Sequence, residues 1–249
     1  SRWAFILAAT GAAVGLGNIW KFPYIAGEYG GGAFVLVYLA CIFAIGVPIM
    51  MAEILIGRRG RQNPFNSLAS LAEEEKASSL WKYLGFAGVL AGFLILSYYS
   101  VIAGQAIAYV PRLLFGVFEG VTADGARNLH LSLVKDPEKL LAWHTIFMML
   151  TMMIVSRGVQ HGLEKSVRFL MPSLFLILLI LVAYAYQTGV YFDQAVNFMF
   201  KPDFSKLTTE GILTAMGHAF FTLSLGMGAI MVYGSYLPQK ASIFKVSLA

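Results

Sequence analysis

The chain has 249 residues, of which 58% are apolar and only 12% charged, with a net charge of +5 and a mean hydropathy of +0.71. Soluble domains run to about 45–50% apolar and about 25% charged residues, so this composition excludes a soluble globular domain and predicts an all-α membrane protein with several spans. The basic residues are spread through the segments between apolar runs rather than clustered, which argues against nucleic acid as a partner. No secretory signal pattern follows Ser1-Arg2. Cys41 stands alone inside an apolar run and reads as a small core hydrophobe.

Runs of roughly 20 apolar residues, the length that crosses a bilayer as a helix, predict six spans in one transmembrane domain over 1–249. They fall at about 3–26, 33–57, 81–115, 140–155, 167–187 and 211–236. The third is long enough to tilt or protrude, and the fourth is short. On one side lie Arg2, the loops at 58–80 and 156–166 with the span ends beside them, and the tail 237–249, carrying Arg58, Arg59, Arg61, Lys76, Lys82, Arg157, Lys165, Arg168, Lys240 and Lys245. The loops at 116–139 and 188–210 mix their basic residues with Glu119, Asp124, Asp136, Glu138, Asp193, Asp203 and Glu210. The excess of Lys and Arg places the first set on the cytoplasmic side, and both ends of this chain with it.

The first span contains "GAAVGLGNIWKFPYIAGEYGGG", from Gly11 to Gly32. Gly11, Gly15 and Gly17, then Asn18, Lys21 and Pro23, are poor choices for a continuous helix in lipid. An interrupted helix leaves backbone groups unpaired, each costing several kcal/mol in hydrocarbon, so a break survives only where it is buried in protein or lines a cavity. Freed carbonyls and the Asn18 side-chain oxygen suit a hard cation such as sodium, and freed N–H groups at a helix start suit a carboxylate. Taken alone, Gly11 and Gly15 fit close helix packing equally well. A phosphate loop is the weaker reading, since no strand precedes the glycines. The sixth span repeats the character in "GHAFFTLSLGMGAIMVYGSY" (217–236), with Thr222 and Ser224 followed by Gly226-Met227-Gly228. Two glycine-interrupted spans in one chain are a mark of transporters with discontinuous helices.

"AVGLGNIWKFPY" with "GGGAF", "SYYSVIAGQAIAY" and "AFFTLSLGMGAI" closely resemble the first, third and sixth spans of the neurotransmitter:sodium symporters, bacterial amino-acid branch. Gly162 and Pro172 resemble the family's Gly-x9-Pro element, by which the fifth helix unwinds on its inner side. The resemblance covers the chain in order. It implies the first half plus the sixth span of an inverted-repeat fold with discontinuous helices 1 and 6, so that the chain reads as truncated after the sixth span. It implies a sodium-coupled symporter of amino acids working by alternating access, and no enzymatic chemistry. The alternative is a non-transporting membrane fragment or an assembly partner of a longer transporter. The implied partners are an amino-acid substrate, membrane lipid, and either a second copy of the chain or the missing C-terminal half.

Carried over by motif, the amides of Leu16 and Gly17 and the Tyr99 hydroxyl would hold the substrate carboxylate. The carbonyls of Ala13, Phe221 and Thr222 and the Ser224 hydroxyl would take its amino group, and Ile95, Ile102, Phe221 and Met227 would line the side-chain pocket. One sodium would use Ala13, Asn18 and Thr222, and a second the carbonyls of Gly11 and Val14. Gly15 stands where monoamine-transporting members have Asp, which leaves room for a substrate bringing its own carboxylate. Met227 stands where a leucine-transporting member has Phe, and its adaptability predicts a tolerant pocket for hydrophobic or aromatic side chains. Lys21 replaces the outer-gate Arg, beside Tyr99 and Phe221. His218 and Tyr38 match positions around the chloride site of chloride-dependent members; His218 is a pH-sensitive group or a neutral hydrogen-bonding one, and chloride use stays open. Glu53 resembles a structural acid near the unwound region.

Overall fold

The computed structural model describes residues 10, 11 and 13–248, with the backbone alone at 159–161; the N-terminal end of the first predicted span, including Trp3, lies outside the described residues. Every regular element among the described residues is helical. In chain order, a π-helical turn, Gly17–Lys21, leads into α1 (Phe22–Glu28) and then α2 (Gly32–Cys41). A second π-helical turn, Ile42–Gly46, continues into α3 (Val47–Gly60), followed by α4 (Pro64–Glu74) and α5 (Trp81–Leu114). Then come α6 (Ala123–Val134), α7 (Pro137–Val155), a π-helical turn Val159–Glu164, α8 (Lys165–Tyr186) and α9 (Val190–Phe200). The chain closes with α10 (Thr209–Thr222), α11 (Ala229–Ser235) and α12 (Ile243–Ser247).

Among the described residues, four helical stretches are long and apolar enough to cross a membrane: Gly32–Gly60, Trp81–Leu114, Pro137–Val155 and Gly162–Tyr186. Their outward side chains are apolar, as lipid requires: Phe169, Leu179 and Tyr184 of α8 are each about two-thirds or more exposed in the isolated chain. The sixth predicted span is present as two shorter pieces, α10 and α11, separated by 223–228. At the first span, Val14 and Gly15 are bends between helical residues and the π-helical turn at Gly17.

The helix starts follow capping chemistry. Asn63, Thr122, Asp136 and Thr208 each accept a bond from a backbone N–H three residues on, and Pro64 and Pro137 sit where their missing N–H costs nothing. The Lys139 side chain bonded to Asp136 at 2.7 Å holds that carboxyl below the usual carboxylate range.

The chain divides into two compact units, Ser1–Leu90 with Glu164–Ala249, and Ala91–Leu163. In the second, Gly104 of α5 lies against the backbone of Trp143 and His144 in α7, with its missing Cβ only 2.7 Å from the His144 nitrogen. Beneath α6, Leu133 is fully buried.

In the first unit the second span, α2 with α3, is the spine. Its N-terminal part packs Phe34 and Tyr38 with Ile25 and Ala26 of α1 and Ala215 and Ala219 of α10. Its C-terminal part packs Ile54 with Ile230 of α11, Leu237, and Val246 of α12. Here the backbones nearly touch. A Cβ on Gly57 would fall on the Met231 carbonyl group, and one on Gly234 would lie 2.8 Å from the Ile54 carbonyl oxygen. Two arginines at the end of α3 complete the seam. Arg61 donates to the carbonyls of Ser235 (2.7 Å) and Leu237 (2.9 Å), and Arg58 to that of Ala241 (2.8 Å). The Ser235 and Leu237 carbonyls are orphan acceptors at the C-terminal end of α11, where a cation is also favoured by the dipole.

Gly57→Ala is therefore expected to destabilise the protein by about 1–3 kcal/mol through overpacking, seen as a lowered thermal midpoint in detergent. Gly27→Ala, where nothing lies within 4 Å of the added carbon, leaves the midpoint unchanged.

Candidate functional site

The two interrupted spans meet. At the first, the Asn18 side chain folds back so that its Oδ1 accepts from the Gly15 N–H at 3.3 Å, bridging the bend. Its Nδ2 donates across to the Thr222 hydroxyl, 3.3 Å away at the last residue of α10. Thr222 is a junction for three spans: its Oγ1 also accepts from the Tyr38 hydroxyl at 3.0 Å and lies 3.2 Å from His218 Nδ1. A threonine hydroxyl has two lone pairs and one proton. With Tyr38 and Asn18 taking the lone pairs, the proton is left for His218 Nδ1, which places the ring hydrogen on Nε2. Tyr38, His218 and Thr222 are all buried. Phe22 closes over them, its ring centroid 4.6 Å from Tyr38 and 5.3 Å from His218.

The sixth-span break is tightly shaped. Ser224, Gly226 and Gly228 all adopt left-handed backbone conformations (φ 53°, 78° and 75°). Glycine takes this region without penalty, whereas Ser224 does so at a cost of roughly 1–2 kcal/mol. The exposed Gly226 N–H is satisfied by Glu53 Oε1 at 2.7 Å, from the C-terminal part of the second span. Phe221 lays its ring on the first break, its Cε1 2.7 Å from where a Gly17 Cβ would stand, so a side chain at 17 would displace it.

The remaining predicted residues are placed as follows. Ala13, Gly15 and Leu16 are half-buried, and Gly17 is buried, along the first break. Gly11 packs on Val167, 2.9 Å from its missing Cβ, and the Val14 N–H bonds the Thr10 carbonyl. Ser224 and Met227 are half-buried within the sixth break. Ile95, Tyr99 and Ile102 share one half-buried face of α5 in the second unit at i, i+4, i+7 spacing, with Leu94, Leu96 and Tyr98 exposed around it. Lys21 is exposed, its ammonium 5.4 Å from the Tyr24 ring centre. Gly162 is buried in the π-helical turn Val159–Glu164, and Pro172 lies inside α8.

The sequence reading assigned Asn18 and Thr222 to sodium, and Tyr38 and His218 to a separate chloride or pH site. The structure joins all four through one oxygen. The i, i+4 spacing of His218 and Thr222 was the available signal. The arginine bonds at and beyond the C-terminal end of the sixth span left no signal, because they link Arg58 and Arg61 to backbone carbonyls rather than to a motif.

Broken membrane helices whose gaps face each other, steadied by a carboxylate from a neighbouring span, define a discontinuous-helix transporter fold. The chain matches the model of the sodium:neurotransmitter symporter family over residues 1–117 and 126–249, and it belongs to that family, one of transporters rather than enzymes. It is 40% identical over 243 residues to the sodium-dependent transporter YhdH of Bacillus subtilis, covering 98% of this chain and 53% of that protein. It is 34% identical over 255 residues to a sodium-dependent transporter of Haemophilus influenzae, covering 100% of this chain and 55% of that one. Among solved structures it is similar to MhsT in complex with L-phenylalanine, with 43% identity and a TM-score of 0.89, over 100% of this chain and 55% of MhsT. The chain thus spans about half the length of these relatives.

If Thr222 is the junction, its loss must cost more than the loss of any one arm. Thr222→Val, nearly isosteric, leaves the buried Tyr38 and His218 and the half-buried Asn18 each short of a partner, and about 1–3 kcal/mol for each buried group makes a large fall in thermal midpoint. Tyr38→Phe removes a donor with its acceptor still served by Asn18, and about 1 kcal/mol is expected. Thermal melts of the two variants check the order.

Proposed function

We propose that this chain forms the core of a sodium-coupled symporter for hydrophobic or aromatic amino acids. The observation that carries the proposal is the direct bond between Asn18 at the first break and Thr222 at the sixth. It brings two side chains bearing hard oxygen atoms together beside freed backbone, which is the donor chemistry a sodium ion takes. Turning the Asn18 amide about its last torsion exchanges Nδ2 for Oδ1 toward Thr222, so the pair fits a cation held by Asn18, Thr222 and the Ala13 carbonyl. Bound there, sodium supplies positive charge next to the substrate carboxylate. A second ion is assigned to the Gly11 and Val14 carbonyls.

The chain's own residues do the remaining work. The Leu16 and Gly17 amides bind the carboxylate at the start of the π-helical turn, with the Tyr99 hydroxyl as a further donor. Ala13, Phe221 and Thr222 carbonyls and the Ser224 hydroxyl receive the ammonium group. Ile95, Ile102, Phe221 and Met227 surround the side chain. Gly15 keeps carboxylate space open, and the neighbour MhsT was crystallised with L-phenylalanine, which supports an aromatic substrate. Phe221 and Lys21, with Tyr99, form the outer closure, and unwinding near Gly162 and Pro172 opens the inner side. Alternating access then follows from flexing at the two breaks. The six predicted spans, with both ends of this chain cytoplasmic, complete the reading.

The test uses the full-length protein. Sodium, against potassium, is expected to raise its thermal midpoint and to support saturable L-phenylalanine binding. Asn18→Leu should weaken sodium-dependent stabilisation by about tenfold or more. Gly15→Asp should abolish amino-acid binding while retaining the sodium response. Undiminished binding in Gly15→Asp, or a sodium response untouched by Asn18→Leu, would remove the assignment.

A further inference from the structure

The sequence of α9, VYFDQAVNFMF, has two sides. At about 3.6 residues per turn, Phe192, Ala195, Val196 and Met199 fall at i, i+3, i+4 and i+7 on one stripe, flanked by Tyr191 and Phe200. Asp193, Gln194 and Asn197 share the opposite side, in line with Lys201 just past the helix end. Such a pattern belongs to a helix with one apolar partner. The described residues do not supply that partner. α9 buries none of its side chains; Ala195, Val196 and Met199 are exposed, and Tyr191 and Phe200 are 76% and 80% exposed.

Both ends of α9 are held at the ends of membrane-crossing stretches. α8 finishes at Tyr186, and a tight turn follows, in which the Thr188 and Gly189 N–H groups donate to the Ala185 and Tyr186 carbonyls at 3.0 and 3.3 Å. Gly189 makes this turn with φ 60°, where a side chain would be strained. The three residues 187–189 reach at most about 10 Å, so α9 begins at the level where α8 ends. At its other end α9 rests on the turn into the second span. A Cβ on Gly31 would lie 2.7 Å from the Phe198 carbonyl oxygen, and one on Gly32 would fall on the Met199 carbonyl group. The helix therefore runs along one face of the membrane instead of crossing it.

The neighbouring surface identifies what covers the stripe. Phe192 sets its ring edge-on to Tyr186, with centroids 5.5 Å apart, so the stripe continues the apolar exterior that α8 turns to lipid. Tyr184 and Tyr186, exposed at the end of α8, are the residue type that marks the headgroup level of a bilayer. We infer that α9 is an interfacial helix, with Phe192, Ala195, Val196 and Met199 seated among phospholipid headgroups and the first acyl carbons, and Asp193, Gln194 and Asn197 turned to water. Because the same helix grips Gly31 and Gly32, the bilayer surface holds the start of the second span, and through it the core shared with α1 and α10.

The test uses the full-length protein in vesicles of phosphatidylcholine and phosphatidylglycerol, with Cys41 and any other native cysteine replaced by Ala. Single nitroxide labels are placed through Ala195→Cys and Val196→Cys on the stripe, Gln194→Cys and Asn197→Cys opposite, and Tyr184→Cys on α8. Collision with oxygen, which partitions into lipid, is compared with collision with a water-soluble nickel chelate. The oxygen-to-nickel ratio is expected to match that of the Tyr184 label at 195 and 196, and to fall several-fold at 194 and 197. All four positions are exposed, and where one stripe variant fails to fold the other decides alone. Nickel access as great on the stripe as opposite it, the result for a helix in water, would overturn the assignment. So would a stripe closed to both reagents, which marks cover by another part of the full-length protein or by a second copy.

Discussion

A helix that stops inside hydrocarbon has no water to bond its last carbonyls and first N–H groups, and this requirement governs the molecule. At the sixth-span break the answer is Glu53, which reaches from the second span to the Gly226 N–H. At the first break the answer is Asn18, which bonds both its own turn and Thr222. Neither interruption could persist alone in lipid. Each is held by a side chain bonded to backbone at a gap, and the two gaps are linked through Thr222. The glycines that permit the breaks are therefore only half of the arrangement; the other half is a set of polar side chains placed to complete the exposed backbone.

The second span gives these bonds a fixed frame. Its N-terminal part shares a core with α1 and α10, and its C-terminal part shares another with α11 and α12. One continuous run of residues thus supports both pieces of a discontinuous neighbour. The support differs in kind along its length. In the N-terminal part, it is aromatic packing around Tyr38 and Phe34, with hydroxyl chemistry at Thr222. In the C-terminal part, it is backbone against backbone at Gly57 and Gly234, with Arg61 on the terminal carbonyls of α11. The first kind tolerates small rotations of side chains. The second does not, because no flexible group lies between the chains.

Much of this was legible in the sequence, for physical reasons. Apolar runs of membrane length and the glycine clusters at 11–17 and 226–228 signal spans and interruptions directly, because lipid punishes unpaired backbone so heavily. The resemblance to a known family gave candidate ligands, and Glu53 was singled out as an acid near the unwound region. What stayed hidden was which polar groups share a partner. Tyr38 and His218 looked like a site apart from Asn18 and Thr222 until the fold put all four around one hydroxyl. The arginines at 58 and 61 counted only as loop charge, since a bond to a carbonyl leaves no trace in residue type. The left-handed Ser224 was equally silent, because serine is unremarkable in sequence and costly only in that conformation.

The interlocked backbones at Gly57–Met231 and Ile54–Gly234 carry one more consequence. Two helices in such contact cannot slip along each other by a fraction of a turn, since every intermediate register drives a carbonyl into an α-carbon. α11 and α3 are thus geared together, and any displacement between the membrane faces must be taken up over the six residues from Leu223 to Gly228. The strain stored at Ser224 sits where that displacement is forced to concentrate. The stiffness of the seam between α3 and α11, rather than softness in the glycines, decides where this protein bends.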